Sequence, residues 1–259
     1  MVKKILSIVL WVLTGAALVV LFVFGRRWYL DTPLRGVTFD LERHHAKGFV
    51  EKDTVIAYAA ALCDIENHTH ISDINMMKIQ QLLDRNPWIE QSSAYIGLND
   101  TLVIQAKEYE PVLRVFNQQQ QSVYVTAEGM LLPSSLTYTP RLIIANGHFD
   151  FPVLSGNIPL SDSLYLHSGL DEALAIALSI RKDKFLSGNV GQIYKNKDNE
   201  YELMVNNLEA NVLLGDTCAV DTKLTRLRIL LEKHIGTGEL DRYKTLNLKY
   251  KNQIVCTKK

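Results

Sequence analysis

The densest group of potential metal ligands lies in CDIENHTH, where Cys63, Asp64, Glu66, His68 and His70 fall within eight residues. In an extended strand His68 and His70 share a face, so both imidazoles could reach one zinc ion, which would want a third protein ligand at compatible reach. The spacing matches no specific zinc pattern, and a polar loop between two helices accounts for the same residues. The adjacent pair His44-His45 would point to opposite faces of a strand, as at a surface strand end. Nucleophile motifs are absent: the sequence holds no G-x-S-x-G elbow and no H-E-x-x-H. Ser168-Gly169 after His167 reads as a helix start with Ser168 as its cap. Gly188 and Gly191 lack the lysine and spacing of a phosphate loop. Cys218 and Cys256 could pair outside the cytoplasm, and three free thiols fit the spacing equally well. No catalytic constellation emerges, so the residues assign no enzyme chemistry and no cofactor.

Composition narrows the classes further. The chain has 259 residues with 28 Lys plus Arg against 28 Asp plus Glu, a balance that argues against a general nucleic-acid binder. A hydrophobic share of 47% is enough for a true core. Three cysteines are too few for a disulfide-built scaffold.

The elements that must position any site begin with the run Ile5–Phe24, twenty residues without a charge. At about 1.5 Å per residue a helix of that length spans roughly 30 Å, one hydrocarbon core. Lys3 and Lys4 flank one end and Arg26 and Arg27 the other, followed by Trp28 and Tyr29, which suit an interfacial belt. A cleaved signal peptide has a shorter apolar core, and Gly15, Ala16 and Ala17 lie inside this run, so an uncleaved anchor is expected. Charge on the two flanks is nearly tied and gives no orientation.

Beyond the anchor, Gly36–Arg43 alternates as a strand, and Glu51–Leu62 is alanine-rich and helical. Asn75 can cap a helix over MMKIQQLLDR, stopped at Asn86-Pro87. Ser92–Leu98 and Thr101–Glu108 read as strands around a turn at Asn99-Asp100. Pro111 marks a seam. Past it come strand-like runs at Val112–Phe116, Val123–Thr126, Leu142–Ala145, Gly191–Lys195, Tyr201–Val205 and Val212–Leu214, with Gln118–Gln121 as a hairpin loop. Helices are expected near Ser168–Lys182 and Thr222–His234. The chain closes on one long strand, Thr245–Cys256, with Leu246, Leu248, Tyr250, Ile254 and Cys256 facing one way and Asn247, Lys249, Lys251 and Gln253 the other. Lysines on such a strand either protect a free edge or invite acidic partner residues.

The order strand, helix, helix, strand, strand resembles a POTRA domain. Asn86-Pro87-Trp88-Ile89, Ala94-Tyr95-Ile96, Leu102-Val103-Ile104 and Lys107-Glu108-Tyr109-Glu110-Pro111 resemble the POTRA-to-β junction of the FtsQ/DivIB family of bacterial cell-division proteins, in its Bacteroidota type. Tyr124-Val125 with Glu128-Gly129, the segment Phe151–Gly156 and the closing segment Leu246–Val255 are similar to later segments of that family. The resemblance implies an α+β chain: a cytoplasmic tail at 1–4, a transmembrane helix at 5–24, a juxtamembrane linker at 28–34, a POTRA domain at 35–111, and a mainly antiparallel β-domain with two helices at 112–259.

It further implies a single-pass inner-membrane protein with its globular part in the periplasm, enriched at the division septum. The implied role is non-catalytic: a divisome scaffold that binds FtsB/DivIC-like and FtsL-like single-pass coiled-coil proteins, without cofactor, metal or nucleic acid. By resemblance the partner-binding residues are Thr245, Leu246, Asn247, Leu248, Lys249, Tyr250 and Lys251 on the closing strand, with Lys223 or Arg226 on the preceding helix as the basic residue for a partner acid. Two other classes stay open: a POTRA-bearing protein of outer-membrane assembly or secretion, and a metal-dependent enzyme built on His68 and His70.

Overall fold

The computed structural model describes residues 2–43, 47–62, 70–234 and 236–259, without the side chains of 2–5 and 8. His44, His45, Cys63, Asp64, Glu66 and His68 lie outside the described residues. The described chain divides into two units, one holding 2–43 and Val50–Glu108, the other 47–49 and Tyr109–Lys259.

The first unit opens with helix α1, Val2–Leu30. Its segment Val9–Leu30 is 22 residues long, apolar enough to cross a membrane and unburied. The run of uncharged residues thus lies in a helix that continues six residues past Phe24. Then follow β1 (Gly36–Glu42), α2 (Lys52–Leu62), a 3₁₀ turn at Ile71–Asp73, α3 (Met76–Asp84), β2 (Ile89–Ile96) and β3 (Thr101–Glu108). The sheet order is β1-β3-β2, with β1 parallel and β2 antiparallel to β3. Two parallel strands cannot be joined by a tight turn, and between β1 and β3 the chain passes through α2, α3 and β2. Alternation along β3 buries Leu102, Ile104 and Ala106, and α3 adds Ile79 and Leu83 to the buried residues of this unit. Asn75 Oδ1 accepts the N–H of Lys78 at 3.1 Å, closing the free end of α3. Asp100, at φ 57, makes the β2–β3 turn. His70 donates from Nδ1 to the carbonyl of Asp31 at 2.6 Å, which occupies one of its ring nitrogens with backbone.

The second unit is a ten-stranded sheet. In chain order it holds β4 (Pro111–Phe116), β5 (Ser122–Thr126), β6 (Met130–Pro133), β7 (Ile143–Gly147), β8 (Ile158–Pro159), β9 (Val190–Lys195), β10 (Tyr201–Val205), β11 (Asn211–Gly215), β12 (Tyr243–Asn247) and β13 (Val255–Lys258). Spatial order is β13-β12-β11-β10-β9-β7-β4-β5-β6-β8. Neighbours are mostly antiparallel, with parallel pairs at β4–β7, β7–β9 and β11–β12. Helices α4 (Leu170–Lys182), α5 (Lys184–Asn189) and α6 (Val220–His234) interrupt the strands, and a 3₁₀ turn spans Glu239–Arg242. Three helices stand here where the sequence reading expects two. The extra one, α5, is too short for a periodic signal; Asp183 caps it by accepting the N–H groups of Phe185 and Leu186.

One core runs through the unit, from Leu113 and Val115 through Ala145, Ile193, Leu203 and Val212 to Leu246, and is closed by Leu170, Ile176, Leu224, Leu227 and Leu231 from the helices. The N-cap of α4 is Gly169, at φ 81, rather than the expected Ser168, whose hydroxyl oxygen accepts the N–H of Leu170 at 3.2 Å. Buried Lys195 donates to the Ser168 carbonyl at 3.1 Å and lies 5.4 Å from the Phe149 ring centre, so this cation is held internally. The core also sets the first expected result. Leu227, on the buried face of α6, is fully enclosed, and Leu227→Ala should lower the stability of the second unit by about 2–5 kcal/mol. A thermal melt unchanged by that substitution would contradict this packing.

Candidate functional site

A sheet that does not close on itself leaves two edges, and unpaired N–H and C=O groups there can accept another strand. One edge here is β8, only two residues long and containing Pro159, which has no N–H to offer. The other is β13, four residues with Val255, Thr257 and Lys258 exposed. β13 is therefore the serviceable edge, and its surroundings decide what it can do.

The long closing strand expected over Thr245–Cys256 is a hairpin instead. β12 ends at Asn247, the chain turns, and β13 returns antiparallel with Leu246 opposite Cys256 and Asn247 opposite Val255. Asn252 supplies the turn with φ 61, a left-handed conformation that asparagine tolerates. β12 is paired on both sides, since its other edge lies parallel to β11 with Val212 opposite Leu246. Its backbone offers no vacancy.

The sequence-predicted residues divide accordingly. Leu246 and Leu248 are fully buried, and the Leu248 N–H donates to the Leu213 carbonyl at 2.9 Å. Thr245 and Asn247 are half-buried, and Asn247 Oδ1 accepts the N–H of Lys249 at 3.0 Å. Lys249, Tyr250 and Lys251 are exposed in the turn. Lys249 pairs with Glu200 at 2.7 Å, and that bond holds its ammonium above the ordinary lysine range.

Both candidate basic residues on α6 have internal partners. The Lys223 side chain is 8% exposed and donates to Asp216 Oδ1 at 2.6 Å and to the Asp216 carbonyl at 2.9 Å. Arg226 grips the turn: Nη1 donates to the carbonyls of Tyr250 at 2.6 Å and Gln253 at 2.9 Å, and Nη2 to Leu248 at 3.1 Å. A planar guanidinium with five donors suits three diverging carbonyls, a task one ammonium cannot copy. The structure thus brings Arg226 to the closing hairpin, but aimed at its backbone. A lone arginine on a helix carries no signal of this role in the sequence. The chain end is held too, by a Lys259–Glu209 ion pair and by the Lys259 N–H donating to the Arg242 carbonyl at 3.1 Å.

Lys223 sets a pH dependence. Its hydrogen bond holds the Asp216 carboxyl below the usual carboxylate range, against a smaller opposing effect of burial. A carboxyl depressed on folding adds stability above its unfolded value and loses it as pH falls through the folded value. Asp216→Asn should therefore reduce stability at neutral pH and flatten the acid limb below about pH 4. Melting temperature followed against pH in both proteins checks this, and parallel acid limbs would contradict it.

Cys218 and Cys256 are both free thiols, and burial raises the Cys256 pKa. Among the described residues no group of three His, Cys, Asp or Glu could hold a metal ion. What the described geometry offers is a backbone edge, clamped from within and rimmed by lysine.

Residues 110–257, more than half of the chain, match a family model described as FtsQ/DivIB, C-terminal related. No curated protein matches the chain.

Proposed function

The chain belongs to the FtsQ/DivIB C-terminal related family, and from that premise we propose that it is a non-catalytic scaffold of the bacterial division machinery. The family points to a role in cell division. The finer reading is that helix α1 anchors the protein in the inner membrane, with the globular part that follows it in the periplasm at the septum. A POTRA domain over 35–111, most of it within the first unit, serves for contacts with other division proteins. The second unit binds FtsB/DivIC-type and FtsL-type coiled-coil proteins through the closing hairpin and so helps to time septal wall synthesis.

The observation that carries this reading is the exposed terminal edge of a sheet lying within the family-matched region. Strand addition to an open edge obtains affinity from backbone hydrogen bonds and specificity from alternate side chains. Exposed Lys249, Tyr250 and Lys251 stand at the tip of that hairpin, while Thr245–Leu248 and Arg226 support it from inside and Lys223 is held by Asp216.

The experiment is depletion. In cells whose only copy is under a regulated promoter, shut-off should give filaments with unfinished septa. Restoring the wild-type chain should return normal division. Normal septation after the protein has disappeared would overturn the proposal.

A further inference from the structure

The geometry points to a further binding site in the second unit: a cleft between the start of β4, the approach to β7 and helix α5 that takes the free C-terminal carboxylate of a peptide ending in an aliphatic residue. It shares no residue with the closing hairpin or with α6, so it goes beyond the scaffold reading and stands apart from it. The cleft encloses about 520 Å³, within the range of about 300–1,000 Å³ usual for small-ligand sites.

Its charge selects a monoanion. Arg141 and Arg181 line the cleft together with one acid, Glu110, which leaves one net positive charge. The two arginines differ. Arg181, in the last turn of α4, is held by Glu110 at 2.5 Å. Arg141 is exposed and makes no ion pair among the described residues. Its planar guanidinium can grip a carboxylate with two parallel N–H donors. A phosphate monoester brings nearly two charges and would leave one unmatched.

The rest of the lining specifies the rest of the ligand. Val112 and Val190 are buried and Ile143 is half-buried, so part of the wall is aliphatic. Aliphatic wall and free arginine together match the last residue of a peptide, which joins a side chain to a carboxylate. Asn206 adds an acceptor. Its Nδ2 donates to the Gly188 carbonyl at 3.4 Å, and its Oδ1, which accepts no hydrogen bond among the described residues, is open to a peptide N–H.

The walls are fixed without a ligand. The Asn206 N–H donates to the Asn189 carbonyl at 2.7 Å. Asp183 caps α5 and also pairs with Arg228 at 3.2 Å. A preformed cleft loses less entropy on binding. Gly188 keeps the space clear: a Cβ added there would meet nothing within 4 Å, so a side chain can be placed there without touching the fold.

The test is calorimetric titration of the purified full-length protein in detergent. The probe is an acetylated tetrapeptide of three alanines and a terminal leucine, used as the free acid and as the C-terminal amide. The acid should bind saturably at one site, and the uncharged amide roughly tenfold more weakly or worse. Arg141→Ala should weaken the acid by the same roughly tenfold factor and bring it to the level of the amide. Gly188→Leu, which fills the cleft, should abolish binding. Both variants should keep the wild-type melting temperature, which separates loss of the site from loss of the fold.

A photoreactive residue at Ser187, on the rim of the cleft, tells the source in cells. A crosslink to the last residues of another protein identifies a protein C-terminus. A mass gain of a few residues identifies a free oligopeptide. Either supports the site, and a crosslink only to internal segments of proteins overturns it. Equal affinity for acid and amide overturns the inference, as does binding that survives Gly188→Leu. So does tighter binding of inorganic phosphate than of the acid, or no binding at millimolar peptide.

Discussion

Gly147→Ala is expected to unfold the ten-stranded unit or leave it barely stable. Gly147 ends β7 opposite Lys195 of β9, with φ +108, a conformation L side chains rarely adopt. A Cβ there would lie 2.2 Å from the Lys195 carbonyl oxygen and 3.0 Å from its amide nitrogen. Both obstacles are backbone atoms of a paired central strand, and the His148 N–H already donates to the same carbonyl. Left-handed strain of about 1–2 kcal/mol adds to overpacking of about 1–3 kcal/mol or more. Together they approach a typical domain stability, about 5–15 kcal/mol. Gly156→Ala is the control: its φ is +97, but nothing lies within 4 Å of the added Cβ, so only the conformational strain remains. Melting the detergent-solubilised variants should show a large loss for Gly147→Ala and a small one for Gly156→Ala. Equal losses would contradict the close approach of β7 and β9.

Arg226→Ala should open the closing hairpin while the rest of the sheet persists. The substitution removes three hydrogen bonds from a charged donor to the carbonyls of Leu248, Tyr250 and Gln253. Charged donors contribute more than neutral ones, but these carbonyls can turn to water, so a loss of about 2–3 kcal/mol is expected. The loss is local. Amide hydrogen exchange should quicken across Tyr243–Asn247 and Val255–Lys258 and stay slow in β9 and β10. Arg226→Lys should restore little, because one ammonium cannot span three diverging carbonyls. Unchanged protection in the hairpin would show that its backbone pairing suffices without the clamp.

The contrast between these two residues shows where sequence reading succeeds. Strand Tyr201–Val205 is legible because its alternation is regular, and the helices Leu170–Lys182 and Val220–His234 because apolar residues recur at helical spacing. β6, β8 and α5 are short, with too few residues to display a period. The closing hairpin is misread for a different reason. Leu246 and Leu248 before the turn and Ile254 and Cys256 after it share parity, so the apolar alternation passes through the reversal unbroken. Only Asn252 marks the bend, and one asparagine is a weak signal. Arg226 and Lys223 carry charge on a helix whose other face is core. That they serve the Leu248–Gln253 backbone and Asp216, respectively, depends on tertiary placement that helical spacing does not encode.

The site is legible to the same degree. The resemblance points to the closing segment, whose Lys249 and Lys251 are exposed. The pairing of β12 on both sides, which moves the open edge to Val255–Lys258, follows from topology alone.

The most direct measurement of the scaffold role is a binding titration. The purified full-length protein in detergent is titrated with the FtsB/DivIC-type and FtsL-type proteins of the same cell, with wild type and a chain lacking Val255–Lys259 in parallel. The account predicts saturable binding by the wild type and at least a tenfold weaker complex, about 1.4 kcal/mol or more, for the shortened chain. Absence of binding by the wild type would contradict it.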